Sequence, residues 1–579
     1  MRAFRLLAAA VLAALLTVAG TAAAAEALQL ELTNGSKFEG RIVSSDDASL
    51  VLRLTAGAET RIAWKDLEAG SWLAAKRSIV DVKDGRALMA LAEFAAQQSM
   101  RTDAETLVAQ ALRADAALGP SAAALAPRLA ELKKGEAVAL FERGQGFLEK
   151  RDWYQALGRF QEAVRLDPSY ARAVNGVGES YFFMRRLKEA RQYIDQAIRL
   201  DAACKIALFN RAYLSLLELD FKSCLAGMEE VVQLPPDAGR FGTREEVFAA
   251  GKKAGVEKPE DAWKKFADEP LIQARELRPV MREIVKGPGF ATDYVATTEH
   301  YDLHTNVSQE YADTIAARME LIYAEYDRRY GYEKTGEEKT RGKKLRFPVI
   351  VFENKEQYVA WFVRVIGNPA LAGASGGVYV DLVKHLVFFK NEKFEDTQLV
   401  AWHEGFHQYL DYYVGDVPLW FNEGQAEYYG ASRIDKTGKK LLVGQTEPWR
   451  IVPLDAMLKG KRLQPAQWLM RCPQRDFMRL TPPKPEETSA PMWTAGDNYA
   501  ASWALVHFCL EGDKKRWAPS LLTYFKALCD GASEEVAFQK AFGRVDWNAF
   551  NASWREHCEW LVKRAVAEVN GREVPPMPK

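Results

Sequence analysis

No C-x-x-C pair occurs among the six cysteines, Cys204, Cys224, Cys472, Cys509, Cys529 and Cys558. That argues against a cysteine-built metal site or a thioredoxin-like motif. Net charge is also missing: 78 Lys+Arg balance 78 Asp+Glu over 579 residues, so gross electrostatics point to no nucleic acid and no anionic membrane. Beyond the N-terminal segment no run is apolar enough to span a bilayer. Histidine is scarce, seven in all, so two at close spacing are informative. The length exceeds what one core organises and predicts several domains. Most of the 15 tryptophans follow residue 350, which predicts a large aromatic core or an aromatic-lined cleft there.

The N-terminus reads as an export signal. Arg2 and Arg5 precede an apolar run over 6–18, and Thr21-Ala22-Ala23-Ala24-Ala25 supplies small residues for cleavage after Ala25. The expectation is a periplasmic or secreted protein with no transmembrane span after signal cleavage. Export permits disulfides, and Cys509 with Cys529 or Cys558 is the first pairing to examine; buried thiols on helices are the plain alternative.

Residues 26–76 alternate apolar and polar in short runs, with Asn34-Gly35 as a hairpin signal. This predicts a small all-β unit, which resembles a five-stranded SH3/Sm-like barrel and carries no ligand-type cluster. Residues 80–236 are helical and repeat with a period of 34. Gly144, Gly178 and Ala212 recur in register, as do Ala156, Ala190 and Cys224, and Ala163, Ala197 and Val231. Ala92, Ala104 and Ala111 reproduce the same internal spacing 52 residues before Gly144, Ala156 and Ala163. A 34-residue helix–turn–helix period resembles the tetratricopeptide repeat and predicts an all-α solenoid, read either as a binding surface for a peptide or partner or as a rigid spacer. Residues 237–290 read as a helical linker ending at Gly287-Pro288-Gly289. From 291 to 570 the pattern is α+β: a strand over 294–303, a long helix over 308–330, strands at 345–352, 376–380 and 385–389, helices over 396–413 and 418–431, loops over 436–495 with a proline-rich stretch at 482–485, and helices to the end.

The chemistry concentrates between Thr397 and Ser432. His403-Glu404-Gly405-Phe406-His407 is an H-E-x-x-H pattern, which puts both imidazoles on one face of a helix where they can hold one metal ion. Asn422-Glu423-Gly424-Gln425-Ala426-Glu427 then offers carboxylates. Two histidines and one carboxylate with an open fourth position describe a catalytic zinc site of one Zn2+ ion, in which the metal acidifies a water ligand and Glu404 accepts its proton.

These residues resemble the gluzincin clan of zinc metallopeptidases, and the layout resembles peptidase-MA-like proteins in particular. The resemblance covers about residues 291–565. It implies His403, His407 and Glu423 as ligands, with Glu427 as the competing choice because 15 residues rather than the usual 18 separate His407 from Glu423. It also implies an oxyanion role for Tyr499, in Tyr499-Ala500-Ala501-Ser502-Trp503-Ala504-Leu505, where Ser502 replaces the glycine of Y-x-x-G-x-x-L. The G-x-M-E-N motif that holds a free amine is absent, so an endopeptidase is expected over an exopeptidase, with residues 376–379 as a strand able to pair with an extended peptide. The expected function is an exported zinc metallopeptidase whose repeats recruit substrate or partner. The alternative is a protein-interaction scaffold with a weak or inactive zinc domain. His507, eight residues after Tyr499, reads as a core histidine.

Overall fold

The structure, a computed structural model, describes residues 27–331, 345–437, 440–481 and 492–578. The expected export signal and the proline-rich stretch at 482–485 lie outside these residues. No described helix is long and apolar enough to cross a membrane. The chain divides into two compact units, one running through Leu140 with Arg165–Asp167, the other holding Phe141–Val164 and everything from Pro168.

The first unit begins with four antiparallel strands in sequential order, β1 (Leu28–Glu31), β2 (Lys37–Ser45), β3 (Ser49–Leu54) and β4 (Glu59–Ala63). Leu30, Leu50, Leu52 and Ile62 alternate onto one face with Trp64 and Leu67. The expected five-stranded barrel is, among the described residues, a four-stranded meander. After β4 the chain enters a short turn and α1 (Ala69–Ile79). Ala75 of α1 joins the apolar face, Lys76 caps Trp64 with its ammonium 3.8 Å from the ring centroid, and Leu67 bridges back to Leu32. The hairpin α2 (Gly85–Gln97) and α3 (Arg101–Ala114) closes on Leu88, Ala92, Ala104, Leu107 and Ala111. Then α4 (Gly119–Glu149) runs 31 residues without a break, which is the physical source of the 52-residue offset.

The second unit continues the helical hairpins with α5 (Trp153–Leu166), α6 (Ala171–Phe183), α7 (Leu187–Leu200), α8 (Lys205–Leu217) and α9 (Phe221–Val232). The recurring small residues sit where helices touch. A Cβ on Gly144 would fall 2.6 Å from the Phe160 ring, and one on Gly178 would fall 2.8 Å from Ile194. A second periodicity lies in the backbone: Ser99, Arg151, Arg185 and Leu219 all have φ near +60°, each at the tight turn inside a hairpin. Their offsets, 52, 34 and 34, repeat those of the side-chain pattern. Residues 237–290 hold α10 (Arg244–Lys253), α11 (Pro259–Phe266) and α12 (Glu269–Lys286). Ala274, Leu277, Met281 and Ile284 of α12 share one apolar cluster with Leu208, Ala212 and Met228 of α8 and α9. The same cluster includes Ile350 and Phe352 of the sheet that follows.

That sheet is built from β5 (Tyr294–Thr297), β6 (Tyr301–Thr305), β7 (Phe347–Phe352), β8 (Gly377–Val380) and β9 (His385–Phe389), in the order β5-β6-β7-β9-β8. The strand expected over 294–303 is a hairpin, β5 and β6. The pairs β6–β7 and β7–β9 are parallel; β8 returns antiparallel to β9 and forms an edge. Between strands run α13 (Gln309–Tyr330), capped by the Ser308 hydroxyl, and α14 (Lys355–Ile366). After β9 come α15 (Phe394–Tyr413) and α16 (Leu419–Gly430), then α17 (Pro448–Lys459), α18 (Ala495–Glu511), α19 (Ala518–Cys529), α20 (Glu534–Phe542) and α21 (Trp547–Val569). The helix α17, with Pro448 at its start and Pro453 inside it, falls inside the segment expected to be loops. No disulfide joins the six cysteines; five are buried and Cys472 is half-buried.

Glycines let the site-bearing elements approach. Gly405 admits Met319 of α13 against α15, and the Tyr326 hydroxyl donates to the Trp402 carbonyl at 2.6 Å. Gly377 has no room for a side chain between Phe388 and Val400. A Cβ on Gly424 of α16 would meet the Ser502 carbonyl oxygen of α18 at 2.6 Å. A glycine is therefore needed on α16 where it crosses the α18 backbone at Ser502. Away from such a contact, alanine would gain about 1 kcal/mol over glycine in a helix. Here the backbone clash outweighs that gain, so Gly424→Ala should destabilise the protein by at least about 1 kcal/mol net, read as a lowered urea midpoint. An unchanged or raised midpoint would contradict the crossing.

Candidate metal centre

Helix α15 opens with Glu395 and Asp396 in its first turn, where the helix dipole favours acids. Thr397 is buried there, its hydroxyl oxygen accepting the Asn391 N–H at 2.8 Å. Two turns on, His403 and His407 turn toward α16. Their Nε2 atoms lie 3.2 Å apart. The Oε2 atom of Glu423 is 3.8 Å from Nε2 of His403 and 3.7 Å from Nε2 of His407. Among the described residues, these three form the group whose ligand atoms all fall within 4.8 Å of one another.

The far sides of both rings face groups of α16. His407 Nδ1 donates to Asn422 Oδ1 at 2.7 Å, and Glu427 Oε1 lies 3.6 Å from His403 Nδ1. With a proton on each Nδ1, both Nε2 lone pairs converge on one point. Glu427 in turn takes Arg450 of α17 on both carboxylate oxygens, Nε to Oε2 at 2.7 Å and the second bond to Oε1. Glu427 thus faces the outer side of the His403 ring, with its charge already answered, whereas Glu423 faces the inner side.

Electrostatics sort the same groups. Burial raises the Glu423 carboxyl, with His407 and a hydrogen bond from Tyr499 pulling the other way. Burial also presses on Glu427, but His403 and Arg450 outweigh it and hold that carboxyl below its usual range. Burial keeps His403 neutral down to about 4. For His407 burial is again the largest influence, yet Glu423, Glu404 and Asn422 overcome it and raise the ring. Burial lifts Glu404 to about 7, countered in part by His407 and by the Tyr379 N–H, which donates to Glu404 Oε2 at 2.8 Å. Several buried carboxyls therefore surround two converging imidazoles, an arrangement that favours added positive charge.

The donor set fits a divalent metal. Two nitrogens on one tetrahedral zinc at about 2.0–2.1 Å stand about 3.3–3.4 Å apart, close to the separation of the two Nε2 atoms. The group sits in an open cleft of about 1580 Å3 lined by β8, α15, α16 and α17, with Tyr499 of α18. The structure thus brings together His403, Glu404, His407, Glu423 and Tyr499, all expected from the sequence. Burial keeps the Tyr499 phenol protonated, and Arg450 lies 5.2 Å from its ring centroid. Sequence reading missed Asn422 and Arg450. Asn422 directly precedes the candidate ligand and carried a signal; Arg450 lies on an unexpected helix and carried none.

His507 does not join the site. It is fully buried, its Nε2 donating to the Gly444 carbonyl at 3.2 Å, so its Nδ1 accepts from His557 Nε2 at 2.9 Å. Both rings are neutral. Burial holds His507 down to about 4, and burial with His507 beside it lowers His557. An unfolded histidine takes its proton below about 6.5. Between 6.5 and 4 the unfolded chain therefore binds more protons than the folded one, so this stability is fully present above 6.5 and drains as pH falls. From His507 alone, urea unfolding should show a loss of roughly 2–3 kcal/mol between pH 7 and pH 4.5. A midpoint that does not move would contradict the neutral pair.

A family model described as "Protein of unknown function (DUF1570)" matches residues 398–526, which include α16, most of α15 and Tyr499. No curated protein matches the chain. Among solved structures, one titled "Functional Characterization of Pseudomonas Aeruginosa pilF" is similar at 17% identity and a TM-score of 0.17, covering 38% of this chain and 89% of that one.

Proposed function

We propose that the chain is an exported zinc-dependent metallopeptidase of gluzincin type that hydrolyses peptide bonds with Glu404 as general base. The observation that carries the reading is the convergence of the His403 and His407 Nε2 atoms on Glu423, with Asn422 on the Nδ1 of His407 and Glu427 3.6 Å from that of His403. His403, His407 and Glu423 would hold the ion; Glu427 and Asn422 orient the two rings. When bound, zinc supplies Lewis acidity toward a carbonyl oxygen and lowers the pKa of a water. Glu404 would accept a proton from the attacking water and pass it to the departing amine. The Tyr499 hydroxyl donates to the carbonyl oxygen as negative charge grows there.

The geometry of β8 supports a peptide substrate. Val378 and Val380 face the β9 side of the ladder, and the Tyr379 N–H points out to Glu404 instead. Along this edge an extended peptide would bring a bond beside Glu404, the Tyr379 N–H being already taken by that carboxylate. The cleft and the missing amine-binding motif favour endopeptidase action, with the repeats recruiting the protein substrate or a partner. The scaffold alternative has no comparable support, since it leaves the converged donors and Glu404 without a role.

Purified full-length protein should carry one zinc per chain and cleave members of a mixed peptide pool. Removal of the ion with 1,10-phenanthroline should stop cleavage, and added zinc should restore it. Stoichiometric zinc without any cleavage would sink the peptidase reading.

A further inference from the structure

The hairpin turns that share a positive φ do more than repeat. At such turns glycine or asparagine avoids a strain of about 1 kcal/mol, yet two consecutive repeats carry arginine, Arg151 and Arg185. Both arginines reach the same place. Arg185 donates from Nη2 to Asp411 Oδ1 at 2.7 Å and from Nε to the Asp411 carbonyl at 2.8 Å. Arg151 pairs with Asp416. Asp411 lies in the last turn of α15 and Asp416 in the short connection to α16, the two helices being those that bear the candidate ligands. Gly415 lies between them, and a side chain there would collide with the Phe183 carbonyl of the Arg185 turn at 2.8 Å.

The contact continues inward. Asp411 stands one turn beyond His407 on α15 and two turns beyond Glu404. Its Oδ2 atom accepts from Lys384 Nζ and from the Tyr379 hydroxyl, both at 2.7 Å. Burial works against its charge, but Lys384 and Arg185 outweigh it and hold the carboxyl down at about 2, so it stays an anion. Tyr379 is the residue whose backbone N–H holds Glu404. Arg185 is itself only 5% exposed.

We infer that the repeats' turns are a clamp built into the metal centre, with Arg185 as a positioning residue that sets the Glu404 carboxylate through Asp411 and Tyr379. The kinetic consequence rests on the peptidase reading; the clamp itself does not. On this view the repeats are neither a detachable recruiting module nor a passive spacer, because the α6–α7 turn fixes the strand along which a peptide would lie.

The test compares zinc-loaded full-length wild type with Arg185→Ala, Arg185→Lys and Tyr379→Phe. Hydrogen–deuterium exchange reads residues 377–380, and kinetics use a fluorogenic peptide chosen from those the wild type cleaves. Arg185→Ala should speed exchange at 377–380 and lower kcat by about tenfold with KM within about twofold, while zinc stoichiometry holds. Arg185→Lys should recover most of both effects, since an ammonium still reaches one Asp411 oxygen. Tyr379→Phe, which removes one hydroxyl and leaves Arg185 in place, should speed the same exchange. If Arg185→Ala does not fold, the other two variants carry the comparison. Unchanged exchange at 377–380 in the folded variants overturns the clamp, as does a parallel loss of zinc and fold that Arg185→Lys does not relieve. A wild type that holds zinc without cleaving overturns the peptidase reading alone, and the exchange measurement still decides the clamp.

Discussion

Glu423→Ala should weaken zinc binding by more than about 100-fold, whereas Glu427→Ala should weaken it by about 10–100-fold, the range usual for a residue that orients a ligand. The sequence left these two acids in competition, one turn apart on α16. Position around the His403 ring separates them. Glu423 Oε2 stands within 3.8 Å of both Nε2 atoms, on the side where the lone pairs converge. Glu427 lies on the Nδ1 side and is engaged at both oxygens by Arg450. Removing Glu423 deletes a donor and leaves two imidazoles to hold the ion. Removing Glu427 loosens one ring and strands Arg450 in a half-buried place, a cost paid mainly in stability. Glu427→Gln separates these effects, because it keeps an acceptor for His403 and relieves less of the arginine's pairing. Competition with a chromophoric chelator gives the affinities directly. Equal losses for the two alanine variants, or the reverse order, would transfer the ligand role to Glu427.

Local pattern and long-range contact account for what could be read from the sequence. The four-residue step between His403 and His407 fixes a shared helix face whatever surrounds it, and α15 forms where that step requires. The 34-residue period was legible because each hairpin packs on its neighbour, so small residues must recur at each crossing; Gly144 and Gly178 meet Phe160 and Ile194 as that rule demands. The barrel was not legible. Alternation fixes which side of a strand faces the core, but closure depends on register, and here the chain after β4 returns to the end of β1 through the Leu32–Leu67 bridge rather than through a fifth strand. Arg185 was out of reach altogether. Its partner Asp411 is 226 residues away, and an arginine in a hairpin turn looks like any solvated charge until the second helix layer is in place. Arg450 was hidden for a different reason, since its helix lies in the segment read as loops.

Glu404→Gln should lower kcat by about 10²–10⁴-fold while the purified variant keeps one zinc per chain. The substitution is nearly isosteric, and the glutamine oxygen can still accept the Tyr379 N–H that now meets Glu404 Oε2 at 2.8 Å. Nothing in the ligand group of His403, His407 and Glu423 is removed. What disappears is the ability to take up a proton, so binding and catalysis should separate: KM stays within about threefold while the rate collapses. The pH dependence should separate as well. Burial lifts the wild-type carboxyl to about 7 in the metal-free cluster. A cation a few ångströms away favours the carboxylate and moves that value down. The base works only when deprotonated, so wild-type kcat/KM should be flat near neutrality and fall on the acid side below 7. The residual activity of Glu404→Gln should lack that acid limb. Full activity in the variant would remove Glu404 from the chemistry. Loss of zinc together with activity would instead make Glu404 part of the metal site's framework, and the assignment of a general base would then have to move to another group in the cleft.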